Sequence, residues 1–138
     1  MQLAVGSQKP KAGGNKMGGF RELKVYELSF KTAMLIFEHS KSFPLEERYS
    51  LTDQIRRSSR SVSANIAEGY RKRRYPNMFI NKMSDADTEA TETQVWLDFA
   101  YHCNYITKEV HKELVGKYEE VGKMLGSMMA SPEKFKLK

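Results

Sequence analysis

Apolar residues return along most of this chain at steps of three and four, the spacing of helices with one face turned inward. Leu51, Ile55, Ser58, Val62 and Ile66 share such a face, a narrow stripe with small residues inside it. Val110, Leu114, Tyr118, Val121, Leu125 and Met128 make a longer seam without a break. Phe79, Met83, Ala86, Ala90, Leu97 and Tyr101 make another, interrupted at Thr93 or Gln94. The first stripe in the chain, Leu23, Tyr26, Phe30, Met34 and Phe37, is less simple. Val25, Leu28, Leu35 and Ile36 lie off its line, and residues 34 to 37 are apolar throughout. A helix apolar most of the way round needs burial on two sides, so one side is expected to meet the core and the other a neighbouring subunit. A wide face on a single well-buried helix is the simpler alternative.

Punctuation residues divide these stripes into four helices. Ser42-Phe43-Pro44 closes the first, which runs from about Arg21 to Lys41, because proline disfavours helix at the residue before it. Ser50 reads as the N-cap of the second, with Asp53 favourable at its positive end, and Gly69 as its C-terminal stop. The third spans about Pro76 to Asn104, and Thr107 caps the fourth, which Ser131-Pro132 ends. Four amphipathic helices with short connections read as one all-α domain over residues 20–130. Residues 1–19, with five glycines, three lysines and a proline, read as a flexible basic arm, within which Met17 is a second candidate start. Residues 131–138 form a short basic tail.

Charge changes the picture locally. The 138 residues carry 23 Lys+Arg against 17 Asp+Glu, net +6, which favours polyanionic partners without requiring them. From Arg56 to Lys82 there are eight basic residues and one acid, Glu68. Arg56, Arg57 and Arg60 lie on the second helix. Arg71, Lys72, Arg73 and Arg74 follow in a loop between Tyr70 and Tyr75, where guanidinium forks suit phosphate oxygens and tyrosine rings can stack on bases. The third helix reverses the sign, with Asp85, Asp87, Glu89, Glu92 and Asp98 and no Lys or Arg between Met83 and Thr107. Glu92 is expected to pair with an arginine of the second helix, and Trp96 to anchor packing. Asn65 and Glu68 are assigned to helix contacts.

Chemistry is sparse. His39, His102 and His111 are scattered, and none completes the Glu-x-x-His pairs of a di-metal bundle, so neither a metal nor a cofactor is expected. The serines of the second helix have no nearby histidine and no strand-turn-helix elbow, and no glycine-rich phosphate loop occurs, so the chain is not expected to be an enzyme. Cys103 stands alone, the first residues are too polar for a signal peptide, and no run is long enough to span a bilayer. A cytoplasmic location is expected.

Gln54-Ile55-Arg56-Arg57, then Ser61-Val62-Ser63-Ala64-Asn65-Ile66-Ala67-Glu68-Gly69, resemble the signature of the 23S ribosomal RNA intervening-sequence protein family. Phe43-Pro44, Glu47, Tyr49 and the run Glu92 to Leu97 agree, and the likeness covers roughly Phe20 to Met129. Ser63 departs from the proline often found there, which should leave a straighter helix. The resemblance implies an all-α, antiparallel, up-down four-helix bundle assembled as a ring-like homo-oligomer, often a homopentamer. Distant relatives serve diversity-generating retroelements, where a basic pentamer engages nucleic acid and a reverse transcriptase.

Two functions remain open from sequence. In one, Arg56, Arg57, Arg60, Arg71, Lys72, Arg73 and Arg74 bind RNA or DNA through phosphate contacts. In the other, the chain is a protein-interaction scaffold, such as an accessory subunit of a nucleic-acid enzyme, whose arginines serve its own interfaces. Gln54, Asn65, Glu68, Gly69, Glu92 and Trp96 are structural under either.

Overall fold

The structure is a computed structural model, and it describes residues 19–136. Within them four helices are joined by short connections: α1 (Lys24–Ser40), α2 (Leu51–Tyr70), α3 (Pro76–His102) and α4 (Lys108–Ala130). No strand occurs among the described residues. Each helix packs on its chain neighbours, and α1 closes the bundle against α4. The arm expected over 1–19 lies, apart from Gly19, outside the described residues.

The stripes of α2 and α4 are buried as their spacing requires. Ile55, Val62 and Ile66 meet Leu114, Tyr118, Val121 and Leu125 in one core. In α3 the line through Phe79, Met83, Ala86 and Ala90 is also buried, and Thr93 is the interruption. Its hydroxyl donates to the Glu89 carbonyl and lies 2.8 Å from Ser58 Oγ, so the polar group crosses the core satisfied. The tail docks through a 3-10 turn, Pro132–Phe135, which stacks Phe135 on Phe79.

Helix α1 turns the other way from its most obvious stripe. The side facing the core is Val25, Ser29, Thr32, Ala33 and Ile36, while Tyr26, Met34 and Phe37 are only partly covered and Phe30 is 48% exposed. Small hydroxyl residues win because α1 lies close on α2. Ser29 Oγ and Ser63 Oγ meet at 2.8 Å, and the Thr32 hydroxyl returns to the Leu28 carbonyl. A large side chain at either serine would hold the helices apart, at a cost of about 1–3 kcal/mol. Ser63, where a proline was the alternative, is thus a contact residue.

Two helix ends also differ from expectation. Ser50 occupies the N-cap of α2 but does not cap it; its hydroxyl donates to Glu47 Oε1, and that carboxylate accepts from the Leu51 amide. Glu47 Oε2 accepts from the Tyr105 hydroxyl at 2.8 Å, tying the start of α2 to the α3–α4 connection. Gly69 is not a stop. The helix continues to Tyr70, and Gly69 is buried where α2 and α3 touch; a Cβ there would sit 2.5 Å from Met83 Cε and 2.8 Å from Lys82 Cβ. The left-handed turn residue is instead Asn104 (φ 65°), after α3, with the Tyr105 amide bonded back to the Ala100 carbonyl. Thr107 caps α4 by accepting from the Val110 amide.

Candidate nucleic-acid interface

Helix α2 distributes its three arginines by their place around the axis. Arg57 faces α3 and is committed: its Nη2 donates to Glu92 Oε2 at 2.6 Å, with Glu89 Oε1 3.7 Å from Nη1. Trp96 Nε1 donates to the same Glu92 oxygen at 3.1 Å. Glu92 therefore pairs with an arginine of α2 inside one chain and also fixes the indole. Gln54 lies beside Trp96 on the wall of a surface groove shared with Tyr49 and Phe99.

Arg56 and Arg60 point away from α3, toward the α1 side. Both guanidinium groups lie over the Phe37 ring, 4.8 and 5.7 Å from its centroid, and neither has a carboxylate within 4.0 Å among the described residues. Arg56 Nε donates to Ser40 Oγ at 2.7 Å. With Arg57, Asp53, Ser61 and Ala64 they line an open cleft of about 530 Å³. Next to it, sharing Arg60 and Ala64, lies an apolar groove of about 380 Å³ walled by Phe20, Tyr26, Phe30 and Met34.

The α2–α3 loop holds the remaining nominated cations. Its backbone turns on itself, the Lys72 amide bonding to the Gly69 carbonyl and the Tyr75 amide to the Lys72 carbonyl. That leaves side chains as the exposed groups. Arg73 folds back, with Nε on the Tyr70 carbonyl and its guanidinium 3.7 Å from the Tyr70 ring centroid. Arg71, Lys72 and Arg74 are exposed and have no carboxylate partner among the described residues; the Tyr75 ring beside them is 54% exposed. Glu68, the sole acid of this stretch, is taken by Lys82 at 2.8 Å, which raises the Lys82 pKa. Asn65 donates to the Ser61 carbonyl within its own helix.

The structure thus places the nominated cations on two separate surfaces, the α2 face and the loop, and sets Arg57, which sequence had grouped with Arg56 and Arg60, apart on a third contact. Phe37 and Ser40 of α1 and Lys41 just after it, which gather around Arg56 and Arg60, were not assigned to the site from sequence, because nothing in a linear pattern joins α1 to that face. No three His, Cys, Asp or Glu side chains among the described residues converge on a metal position. His111 instead pairs with Asp98 at 2.8 Å and stacks on Tyr101. No helix among the described residues is long and apolar enough to cross a membrane.

The profile of the family described as 23S rRNA-intervening sequence protein matches residues 21–127. A crystal structure of a protein of unknown function from the S23 ribosomal protein family, from Bacteroides thetaiotaomicron, is similar at 32% identity. The likeness has a TM-score of 0.69 and covers 76% of this chain and 97% of that one. No curated protein matches.

Proposed function

This chain belongs to the 23S rRNA-intervening sequence protein family, and from that premise we propose a basic, oligomeric helical bundle that binds RNA or DNA through phosphate contacts. One observation carries the reading. Arg71, Lys72 and Arg74 stand exposed at one end of the bundle with no neutralising carboxylate, beside an uncovered tyrosine ring. A solvated loop that served only solubility would gain nothing from leaving three like charges adjacent; a polyanion relieves their repulsion. Arg56 and Arg60 add a second cationic surface, while Arg57 contributes chiefly to the α2–α3 contact.

The assembly we propose is a ring of identical subunits, with five taken from the family resemblance and the cytoplasm as its location. Two unlike apolar surfaces support it. The Tyr26–Phe30–Met34 groove has a basic rim at Arg60. Elsewhere Tyr49, Val95 and Phe99 are exposed, Tyr49 and Phe99 lining a groove with Glu47 and Trp96, and Arg48 lies over the Tyr49 ring. Two apolar surfaces with different linings suit a head-to-tail contact between copies, which closes into a ring when the rotation allows. The scaffold alternative, in which a reverse transcriptase or similar enzyme is the partner, draws on the Arg57–Glu92–Trp96 cluster, where an arginine serves packing.

The test compares the intact protein with a variant carrying Arg71, Lys72, Arg73 and Arg74 as alanine, using labelled structured RNA and duplex DNA. Light scattering follows the mass of each. Binding lost by the variant at unchanged mass supports the proposal. Equal binding removes the loop from it, and a variant that falls apart assigns those charges to assembly.

A further inference from the structure

We propose that Arg56 and Arg60, gathered with Lys41 around the Phe37 ring, form a preorganised clamp for a phosphate group. The inference deepens the nucleic-acid reading and rests on it only for the source of the phosphate.

Three cations converge on one aromatic ring: Lys41 Nζ at 5.0 Å, Arg56 Cζ at 4.8 Å and Arg60 Cζ at 5.7 Å from the Phe37 centroid. Arg56 and Arg60 are also one helical turn apart, where like charges repel. Of the three, Lys41 has an acid partner, and the two arginines have none among the described residues. Glu38 pairs with Lys41 at 3.3 Å, and Asp53 shares the cleft wall without approaching either arginine within 4.0 Å. The ring attracts each cation, and the two arginines also line the open cleft.

Arg56 is held in a defined pose. The buried Ser40 hydroxyl donates to the Phe37 carbonyl at 2.9 Å, so its lone pair is what meets Arg56 Nε at 2.7 Å. With Nε occupied and one face on Phe37, the plane of the guanidinium is set. Its two terminal NH₂ groups find no acceptor among the described residues. A planar fork fixed in this way fits two oxygens of a phosphate and loses little entropy on binding. The cleft of about 530 Å³ leaves room for a sugar attached to that phosphate. Ser40 and Phe37 are positioning residues; Arg56 and Arg60, on the cleft wall, make the contact.

Anisotropy of a short single-stranded RNA over a salt series tests this, with inorganic pyrophosphate as competitor and as a direct ligand followed by NMR. Arg56→Gln should weaken RNA binding about tenfold or more and lower the salt slope by about one. Ser40→Ala keeps every charge, so a merely electrostatic patch predicts no change; the clamp predicts several-fold weaker binding at an unchanged slope. Phe37→Leu should behave like Ser40→Ala, and melting curves check that both fold. RNA affinity at the intact level in both positioning variants overturns the clamp. Binding lost only in the Arg71-to-Arg74 alanine variant, with Arg56→Gln intact, leaves nucleic-acid binding standing and removes the clamp. Pyrophosphate bound at Arg56 without any RNA binding keeps the clamp with free phosphate as its source, and ends the nucleic-acid reading. Neither ligand bound ends both.

Discussion

Replacing Gly69 by alanine puts the α2–α3 contact to a test of sign as well as size. Within a helix that exchange alone stabilises by about 0.5–1 kcal/mol, because glycine loses more backbone freedom on folding. At Gly69 the added Cβ meets Met83 Cε at 2.5 Å and Lys82 Cβ at 2.8 Å. The methionine end can swing, although Met83 is fully buried and has little room. The Lys82 Cβ is fixed to the α3 backbone, so the two helices must separate. Overpacking of that kind costs about 1–3 kcal/mol, which outweighs the helical gain and leaves a net loss of about 1–2 kcal/mol. For a domain of this size the melting temperature should fall by roughly 3–10 °C. Gly116→Ala and Gly126→Ala are the controls: both lie inside α4 with nothing within 4 Å of a new Cβ, and each should raise the melting temperature. Thermal and urea unfolding followed by circular dichroism read all three. A Gly69→Ala protein as stable as the parent, or more so, would refute the close approach.

Three further outcomes follow from the same geometry. Glu47 has its pKa lowered, first by the Ser50 hydroxyl and then by Tyr105, while the Tyr105 phenol is pushed up to about 12, chiefly by its bond to Glu47. A depressed carboxylate adds stability above its unfolded pKa that is lost as pH falls through the folded one. A raised phenol adds stability below pH 10 that is lost as pH climbs toward about 12. Melting curves against pH should flatten on the acid side in Glu47→Gln and on the alkaline side in Tyr105→Phe; unchanged slopes would contradict the clasp. Tyr118 is fully buried with no partner for its hydroxyl among the described residues, and burial pushes its phenol up. Tyr118→Phe should therefore be neutral or stabilise by about 1 kcal/mol in urea unfolding, and a clear loss would reveal a hidden partner. A double-mutant cycle between Arg57 and Glu92 should give a coupling of about 0.5 kcal/mol, modest because Arg57 is half exposed, and no coupling would dissolve the pair.

The bundle was legible wherever the pattern was narrow. In α2 and α4 a single apolar stripe left one way to turn, and those stripes are the core. In α1 apolar residues lie all round, so periodicity could not choose. The choice was made by size: Ser29 meets Ser63 of α2, Thr32 and Ala33 are buried on the same side of α1, and the aromatic side was left outside. The small residues of α2 were the available signal, since they ask for an equally slim partner. Gly69 illustrates a second limit. Glycine near a helix end serves equally as a stop or as a contact, and only the position of Met83 decides. The cations were legible as residues but not as a site. Sequence could not divide Arg57, held by Glu92, from Arg56, held by Ser40, because both partners come from other helices.

The most direct test of the central claim is the slope of log affinity against log salt for the intact protein on structured RNA and duplex DNA, with oligomer mass followed throughout. The proposal predicts micromolar or tighter binding at low salt by a stable oligomer, and a slope equivalent to several phosphate contacts. No binding at low salt, or binding indifferent to salt, would contradict it.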